Sequence, residues 1–441
     1  MSPFAHAMRE HISGDCSSDF AIAGSFPFGS VPSRHFDDHE EVLRLLRAHE
    51  TQVNDFTRHF LETYHPLLPV LDPGKFRSQI DTFQSRLREC SPSWLAQYLV
   101  VLGLGAYAST RDHKLAARFY YASEACLAQS AYLFRPCITD ISTLCLMVLA
   151  KSAAQATCWA MDTCWNVMGL IVRLSMMTCL HQEWMPHFDE PAINQERNTR
   201  RRLWSVVVFL DLQMSLVVGQ QSLLPQDALG PVTTAEHHTP GSREDCWDAV
   251  LPRAYPVVWK ILARVNARTD PITYDEVMLF DTQLDQHIHP LSSQIPSTHP
   301  ACLSSTMFLS RAVLVLHRRH ALDNEAPSQY PASYRKSLEA SLAVSRRHVA
   351  LCGSSSQLDL IGRPYMLDFF AAAFTACIHL LRRDARGSLL GHGYETPLRE
   401  TVVHVVESSL RLLARERDTS LCFRTGYTLL HAVYQLALSE C

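Results

Sequence analysis

The sequence predicts an all-α protein, a single large domain of about a dozen or more helices. Apolar residues recur at spacings of three and four along most of the chain, whereas runs typical of strands are scarce. Polar breaks such as 230–245 and 289–300 separate the helical segments. Charged residues make up 19% of the chain and apolar residues 47%. Because ordinary globular proteins are about 25% charged, this balance favours much buried helix or surfaces covered by a partner.

Three regions follow from the pattern along the chain. Residues 1–38 contain Ser, Gly, Pro, Phe and His without periodicity, which predicts a flexible tail. A helical domain is predicted over 39–390, and residues 391–441 are predicted to form C-terminal helices that pack on it. The first helix should end near Tyr64, because Pro66 disfavours the α conformation at the preceding residue.

The longest nearly apolar run is Leu95–Ala108, which is shorter than the roughly 20 residues that cross a bilayer. It predicts a buried core helix, and we expect no membrane segment. Gly103 and Gly105 lie in this run without the third glycine or preceding strand of a dinucleotide loop, so they indicate close helix packing. Two helix starts are also predicted, an N-cap at Thr139–Asp140 and a capping box at Thr273–Glu276.

The cysteine pattern indicates the cellular compartment of the protein, and the charge balance bears on whether it binds DNA directly. None of the 14 cysteines forms a CxxC pair, and the N-terminus has no apolar secretory signal. We therefore expect a reducing compartment, cytosol or nucleus. The formal net charge of −4 argues against direct DNA binding, since domains that bind nucleic acid usually carry a basic face.

One acidic segment suggests catalysis. Asp37, Asp38 and Glu41 have the spacing with which all-α terpene synthases hold Mg²⁺ and a diphosphate, because hard cations prefer clustered carboxylates. Acidic residues at a helix start are also favoured by the helix dipole, which is the preferred interpretation. The 22 histidines are scattered, and HExxH, GxSxG and P-loop patterns are absent. His237–His238 lacks the Asp of an acyl-transfer motif, because Ser242 stands there. We predict no catalytic, cofactor-binding or metal-binding residue, and no enzyme.

Two basic clusters allow other interpretations. Arg197 with Arg200–Arg202, and His317–His320, have the composition of a nuclear-import patch or a phosphate contact. Their position within amphipathic helices favours solvated faces or internal ion pairs. Asp211 lies in an apolar stretch and needs a partner. An arginine from such a cluster is the expected one.

Four segments carry a family resemblance, and we number them motifs 1 to 4. Motif 1 is Phe60–Leu71 and continues to Lys75–Phe76, and motif 2 is Cys164–Ser175 and continues to Leu180–His181. Motif 3 is Glu196–Gly219, which contains Arg-Arg-Arg-Leu-Trp and Leu-Asp, and motif 4 is Leu314–Arg318. In order and spacing, over about 55–385, they resemble the fungal-specific transcription factor domain, the middle homology region of zinc-cluster regulators. The family patterns are F-x-x-x-H-P-x-x-P-I-L-H, W-x-x-x-G-x-A-x-R-x-A…G-L-H, E-x-x-R-R-R-L-W-W…L-D-R…G-R-P and L-L-x-H-R.

The chain departs from these patterns in motif 3 and at its front. Ser205 replaces the second Trp, Leu212 replaces the Arg after the Asp, and Gln220–Gln221 replace Arg-Pro. Family members usually begin with a six-cysteine binuclear zinc cluster that reads DNA. Only Cys16 precedes Cys90 in this sequence, so we expect no such cluster.

The resemblance implies a nuclear, helical regulatory domain. We expect a transcription regulator or co-regulator of a gene set, such as a fungal secondary-metabolite cluster, acting through a DNA-binding transcription factor or an oligomeric partner. The alternative is a receptor domain for a small-molecule effector, which a deep pocket lined by Trp165, Trp204 and Phe209 would favour. A Mg²⁺-dependent enzyme using Asp37, Asp38 and Glu41 is the third.

Overall fold

The computed structural model describes residues 22–83, 89–154, 160–182, 191–230, 247, 251–294, 300–352, 358–381, 399–418 and 421–439. Over these ranges it contains seventeen α-helices and no strand, which confirms the predicted all-α class. The helices are α1 His39–Ala48, α2 Val53–Thr63, α3 Pro73–Phe83, α4 Pro92–Thr110, α5 His113–Gln129, α6 Ile138–Ala154, α7 Ala160–Met177, α8 Pro191–Val218, α9 Leu251–Val265, α10 Tyr274–Gln294, α11 Pro300–Ala321, α12 Ala326–Gln329, α13 Pro331–Cys352, α14 Leu358–Gly362, α15 Met366–Leu381, α16 Arg399–Glu416 and α17 Leu421–Ser439.

Helix α4 lies at the centre of the N-terminal half. Every residue from Trp94 to Ala108 is buried, so the predicted core helix is confirmed. A helix that is apolar on all sides must be covered on all sides, and α4 packs against α2, α5 and α6. Ser91 caps its start by accepting a hydrogen bond from the backbone N–H of Trp94 at 3.3 Å.

The two glycines of α4 permit close contact with its neighbours. A Cβ on Gly105 would lie 1.8 Å from the carbonyl oxygen of Phe56 in α2. A Cβ on Gly103 would lie 2.5 Å from the ring of Tyr120 in α5. The predicted close helix packing is confirmed, because no larger residue fits at Gly105 without moving the α2 backbone.

The predicted tail boundary at residue 38 lies too far along the chain. Residues 22–37, which include a 3₁₀ helix at Val31–Phe36, pack on α5 and α6; residues 1–21 lie outside the described part. The buried Lys151 donates to the carbonyls of Gly24 and Phe26 at 2.7 and 2.6 Å. Glu124 accepts from the Ser30 backbone N–H at 2.8 Å. Because two buried charges bind this segment, it is ordered without any periodicity of its own.

The C-terminal half is a second group of helices built around α13 and α15. Helix α13 packs against α11, α15 and α16, and α15 also packs against α17. The helical stretch Asp359–Leu381 is long and apolar enough to cross a membrane by length and composition, but 56% of its most apolar window is buried inside the protein. This burial is typical of a core helix.

Two links join the halves. Helix α8 contacts α9 and α11, and a 3₁₀ helix at Arg363–Tyr365 packs on α6. The guanidinium of Arg363 donates to the Tyr107 hydroxyl of α4 at 2.7 Å and pairs with Glu416 at 3.2 Å. The C-terminal half is therefore attached directly to the central helix.

The predicted capping box at α10 is confirmed, whereas the N-cap predicted at Thr139–Asp140 for α6 lies at least two residues too late. The Glu276 carboxylate accepts from the Thr273 backbone N–H at 2.9 Å, and the Thr273 hydroxyl accepts from the Glu276 N–H at 3.3 Å. Helix α6 begins at Ile138, and Asp140 accepts from the Cys137 N–H at 2.9 Å. Asp140 therefore reaches back to the helix start and is not itself the cap.

We predict that Gly105→Ala lowers the free energy of unfolding by roughly 3 kcal/mol or more, since overpacking against backbone cannot be relieved by a rotamer change. Denaturant titration measures the loss. Gly169→Ala in α7 is the matched control. Its Cβ would meet no atom nearer than 3.8 Å, so we expect unchanged or higher stability. Equal stability of Gly105→Ala and the wild type would contradict the packing role.

Candidate functional site

The turn of motif 1 connects α2 to the rest of the protein. His65 is buried, and its Nε2 lies 3.0 Å from the carbonyl oxygen of Leu71, which closes the turn. The carbonyl of Pro66 accepts from the Trp247 indole at 3.2 Å, and that of Leu67 accepts from the Ser304 hydroxyl of α11 at 3.0 Å. This turn therefore holds two distant parts of the chain.

Motif 1 also contacts motif 3. Asp72 caps α3 by accepting from the Lys75 backbone N–H at 3.0 Å, and it accepts from the Gln195 amide of α8 at 2.9 Å. These hydrogen bonds lower the pKa of Asp72, the bond from Lys75 being the stronger cause. The Lys75 ammonium lies 3.9 Å from the Glu196 carboxylate. The first and third motifs thus meet at one surface.

Motif 2 ends α7 with a left-handed residue. Cys179 has φ 52°. Its N–H donates to the Met176 carbonyl at 3.0 Å, and the Leu180 N–H donates to the Ser175 carbonyl at 2.9 Å. This is a Schellman ending, in which glycine is the favoured residue. The family pattern has Gly at this position, so Cys179 is a further departure, and one with a conformational cost.

The arginines before Trp204 are partly buried, and one of them forms a hydrogen bond inside the protein. Arg200 donates to the Thr178 carbonyl at 2.7 Å, so it caps the end of α7. All four arginines from Arg197 to Arg202 are half-buried. In the other basic cluster, His317 and His320 are buried while Arg318 and Arg319 are exposed. These placements agree with the structural interpretation of both clusters.

Motif 3 continues into the protein interior. Trp204 is 1% exposed, and its indole donates to the Ala228 carbonyl at 3.1 Å. Ser205, which replaces the second Trp of the family pattern, lies against the fully buried Tyr255, with its Oγ 3.2 Å from the Tyr255 hydroxyl. The residue that replaces the second Trp therefore lies beside an aromatic residue of α9.

The predicted arginine partner of Asp211 is wrong. The fully buried carboxylate accepts from the Ser222 hydroxyl at 2.5 Å and from the Leu223 backbone N–H at 3.2 Å. Neutral donors replace the expected cation because the chain turns back at Gly219, φ 70°, and brings residues 222–223 beside α8. Burial, only partly offset by these bonds, raises the pKa of Asp211 to about 6.

Motif 4 places a buried histidine between three helices. His317 of α11 has Nε2 3.1 Å from the Asp281 carboxylate of α10 and Nδ1 2.8 Å from the Ser333 hydroxyl of α13. Lys336 lies 3.5 Å from Asp281 and 2.7 Å from Asp285. The three residue types match a nucleophilic triad, but Ser333 and His317 have no exposed surface. The group therefore joins helices and leaves a substrate no access.

The acidic segment before α1 acts as a helix start. Asp38 caps α1 by accepting from the Glu40 N–H at 3.0 Å, and Glu41 pairs with Arg44 at 2.5 Å and with His35 at 3.6 Å. Asp37 is exposed. Across the described ranges, no group of three or more His, Cys, Asp or Glu side chains is arranged to hold a metal. These contacts support the helix-dipole interpretation.

A small cavity of about 40 Å³ lies where the two halves meet. Its walls come from Leu67 and Leu68, from α6, from α8 and from the start of α15. Of the three aromatic residues expected around a receptor pocket, Phe209 lines this cavity, while Trp165 and Trp204 do not. Pockets for drug-sized ligands are about 300–1,000 Å³, so the expected deep pocket is not this one. Sequence reasoning missed the cavity, because its walls are far apart in the chain.

Residues 57–229 match the family described as the fungal specific transcription factor domain. The match includes motifs 1 to 3; motif 4 lies beyond it. The predicted resemblance is therefore confirmed.

Two curated relatives agree. The chain is similar to "Transcription factor FBD3" of Gibberella moniliformis, 28% identical over 126 residues, which cover 28% of this chain and 16% of that protein. It is also similar to "C6 finger domain transcription factor nscR" of Aspergillus fumigatus, 28% identical over 115 residues, covering 26% and 14%. The chain thus spans less than one fifth of the length of these relatives. No solved structure matches it.

We predict that Asp211→Asn raises stability at neutral pH. The pKa of Asp211 is about 6 in the folded protein and near 3.9 in the unfolded chain. The stability that comes from the protonated carboxyl is therefore fully present below about pH 4, and it is lost as the pH rises through 6. The two proteins should be similar at pH 4 and differ by roughly 3 kcal/mol at pH 7. Denaturant titration at both values measures this, with the exposed Asp227→Asn as control. A difference independent of pH would contradict it.

We predict that Cys179→Gly raises the free energy of unfolding by up to about 1 kcal/mol, because glycine adopts positive φ without the Cβ clash. Thermal denaturation under reducing conditions measures the gain. Cys179→Ala removes the thiol but keeps the Cβ, so it should bring no gain. Equal effects of the two substitutions would show that the thiol, not the backbone, is responsible.

Proposed function

We propose that this chain regulates transcription through protein contacts, with a DNA-binding transcription factor supplying the contact to DNA. The observation that carries the proposal is the match of residues 57–229 to the fungal specific transcription factor domain. Both relatives are named as transcription factors. Since the chain spans a small part of those two proteins, their activity is not assigned to it directly, and the role of the whole protein is our proposal.

The placement of the motif residues supports a scaffold whose surface does the recognition. His65, Trp204, Asp211 and His317 are all buried, and each bonds another part of the chain. None of them is available to a nucleic acid. Contacts to phosphates come from exposed Lys and Arg, whereas the net charge is −4 and Arg200 is bonded inside. These facts favour a protein partner.

One exposed apolar surface suits such a partner. Leu133 and Phe134, in the turn after α5, are 51% and 85% exposed, and Val31 on the 3₁₀ helix is 72% exposed. The Gln129 amide at the end of α5 donates to the Asp37 carbonyl at 2.9 Å, so the two segments adjoin. Large exposed apolar groups of this kind are candidates for a protein-interaction site.

The finer parts of the proposal rest on the family resemblance. We infer that the protein acts in the nucleus and controls a gene set such as a secondary-metabolite biosynthetic cluster. The receptor hypothesis is the second candidate, and the cavity between the two halves is the observation in its favour. Asp38 and Glu41 are engaged at a helix start and Asp37 is exposed, so these contacts do not favour the enzyme hypothesis.

Chromatin immunoprecipitation in the source organism tests the proposal. We expect promoter occupancy by the tagged protein that is lost when its zinc-cluster partner is deleted. Leu133→Asp with Phe134→Asp should reduce co-precipitation of that partner at least tenfold, because burying the new carboxylates is costly. Leu279→Asp, at an apolar position 57% exposed on α10, is the control. Occupancy that persists without any zinc-cluster partner would overturn partner-mediated binding, and the absence of any occupancy would overturn the role in transcription.

A further inference from the structure

The cavity at the junction of the halves has polar groups without protein partners. Gln213 of α8 and Asp368 of α15 both line it, at 4% and 3% exposure. Among the described residues, the Gln213 Oε1 and the Asp368 Oδ1 have no hydrogen-bond partner. Buried polar groups are paired in the great majority of cases, so two orphan acceptors on one cavity are unusual.

The nearest cation does not satisfy the carboxylate. The Arg311 Nε lies 3.7 Å from the Asp368 Oδ1, which is beyond hydrogen-bond distance. Arg311 balances part of the charge from within the C-terminal half, but its Nε and Nη1 also lack hydrogen-bond partners among the described residues, so no hydrogen bond closes this ion pair. Burial raises the pKa of Asp368 to about 6, so the carboxylate is mainly ionised at neutral pH and still requires a donor.

The size and walls of the cavity limit what it holds. At about 40 Å³ it holds roughly three water-sized groups, at about 10–15 Å³ each. The remaining walls are mainly apolar, with side chains such as Leu68, Leu210 and Met214. Val217 is half-buried and lines the cavity as well. An end group of two or three heavy atoms therefore fits inside, and the apolar body of the molecule would lie against the half-buried part of the wall, which includes Val217.

We propose that this cavity binds the amine end of a small, otherwise apolar molecule, whose two N–H donors bond Gln213 Oε1 and Asp368 Oδ1. The donor is required because both orphan atoms are acceptors. The apolar body is required because the remaining walls offer dispersion contacts and few polar groups. This site is independent of the transcription role, since binding is measured on the purified chain.

Three probes of one shape test the requirement for a donor. Phenol, aniline and toluene differ only in the group on the ring. Saturation-transfer NMR on the purified chain should show aniline, with two N–H donors, binding at least fivefold more tightly than toluene, and phenol, with one O–H donor, binding with intermediate affinity. Equal affinity for the three, or no saturation of any, would overturn the proposal; the latter is expected of a cavity that holds only water.

Variants place the binding at this cavity. Gln213→Leu should weaken aniline binding at least fivefold and leave toluene unchanged, without lowering the melting temperature, because the Gln213 Oε1 has no protein hydrogen bond to lose. Gln97→Leu, at a buried glutamine that donates to Ser142 at 2.5 Å outside the cavity, should leave aniline binding unchanged. Val217→Trp, which places a larger side chain in the cavity wall, should abolish aniline binding. Wild-type affinity in both Gln213→Leu and Val217→Trp would overturn the assignment.

Discussion

The contact between Gly105 and the backbone of Phe56 fixes the position of α2, and much of the structure depends on that position. Helix α4 is buried on every side, so its neighbours must approach closely, and glycine alone allows α2 to do so. Helix α2 leads directly into the turn of motif 1. The Leu67 carbonyl in that turn accepts from Ser304 of α11, so the packing at one glycine reaches the C-terminal half.

The departures from the family patterns each have a local replacement or a local cost. Ser205 lies within hydrogen-bond distance of the Tyr255 hydroxyl of α9. Asp211, without the neighbouring arginine of the family pattern, is bonded by the loop at 222–223. Cys179 keeps the left-handed backbone of the usual glycine and has no such replacement. The scaffold thus tolerates changed side chains where a neighbour supplies a hydrogen-bond partner, whereas backbone conformation stays fixed.

Periodicity was sufficient to predict the class, the central helix and the capping box at Thr273, because each depends on residues within one or two turns. It could not predict the order of residues 22–37, since their contacts to Lys151 and Glu124 lie about one hundred residues away. The partner of Asp211 was missed because the Gly219 turn, not charge, decides which donor arrives. The cavity was missed for the same reason, as Gln213 and Asp368 meet only in the folded chain.

The two orphan acceptors belong to different halves of the protein, and this has a thermodynamic consequence. Gln213 lies on α8 of the N-terminal half, whereas Asp368 begins α15 of the C-terminal half. A molecule that bonds both is held only when the halves are in contact. Its binding free energy therefore adds to that of the junction, by RT ln(1 + [L]/Kd). Because the turn of motif 1 forms part of the same wall, the signature of the family and the cavity depend on one arrangement of helices.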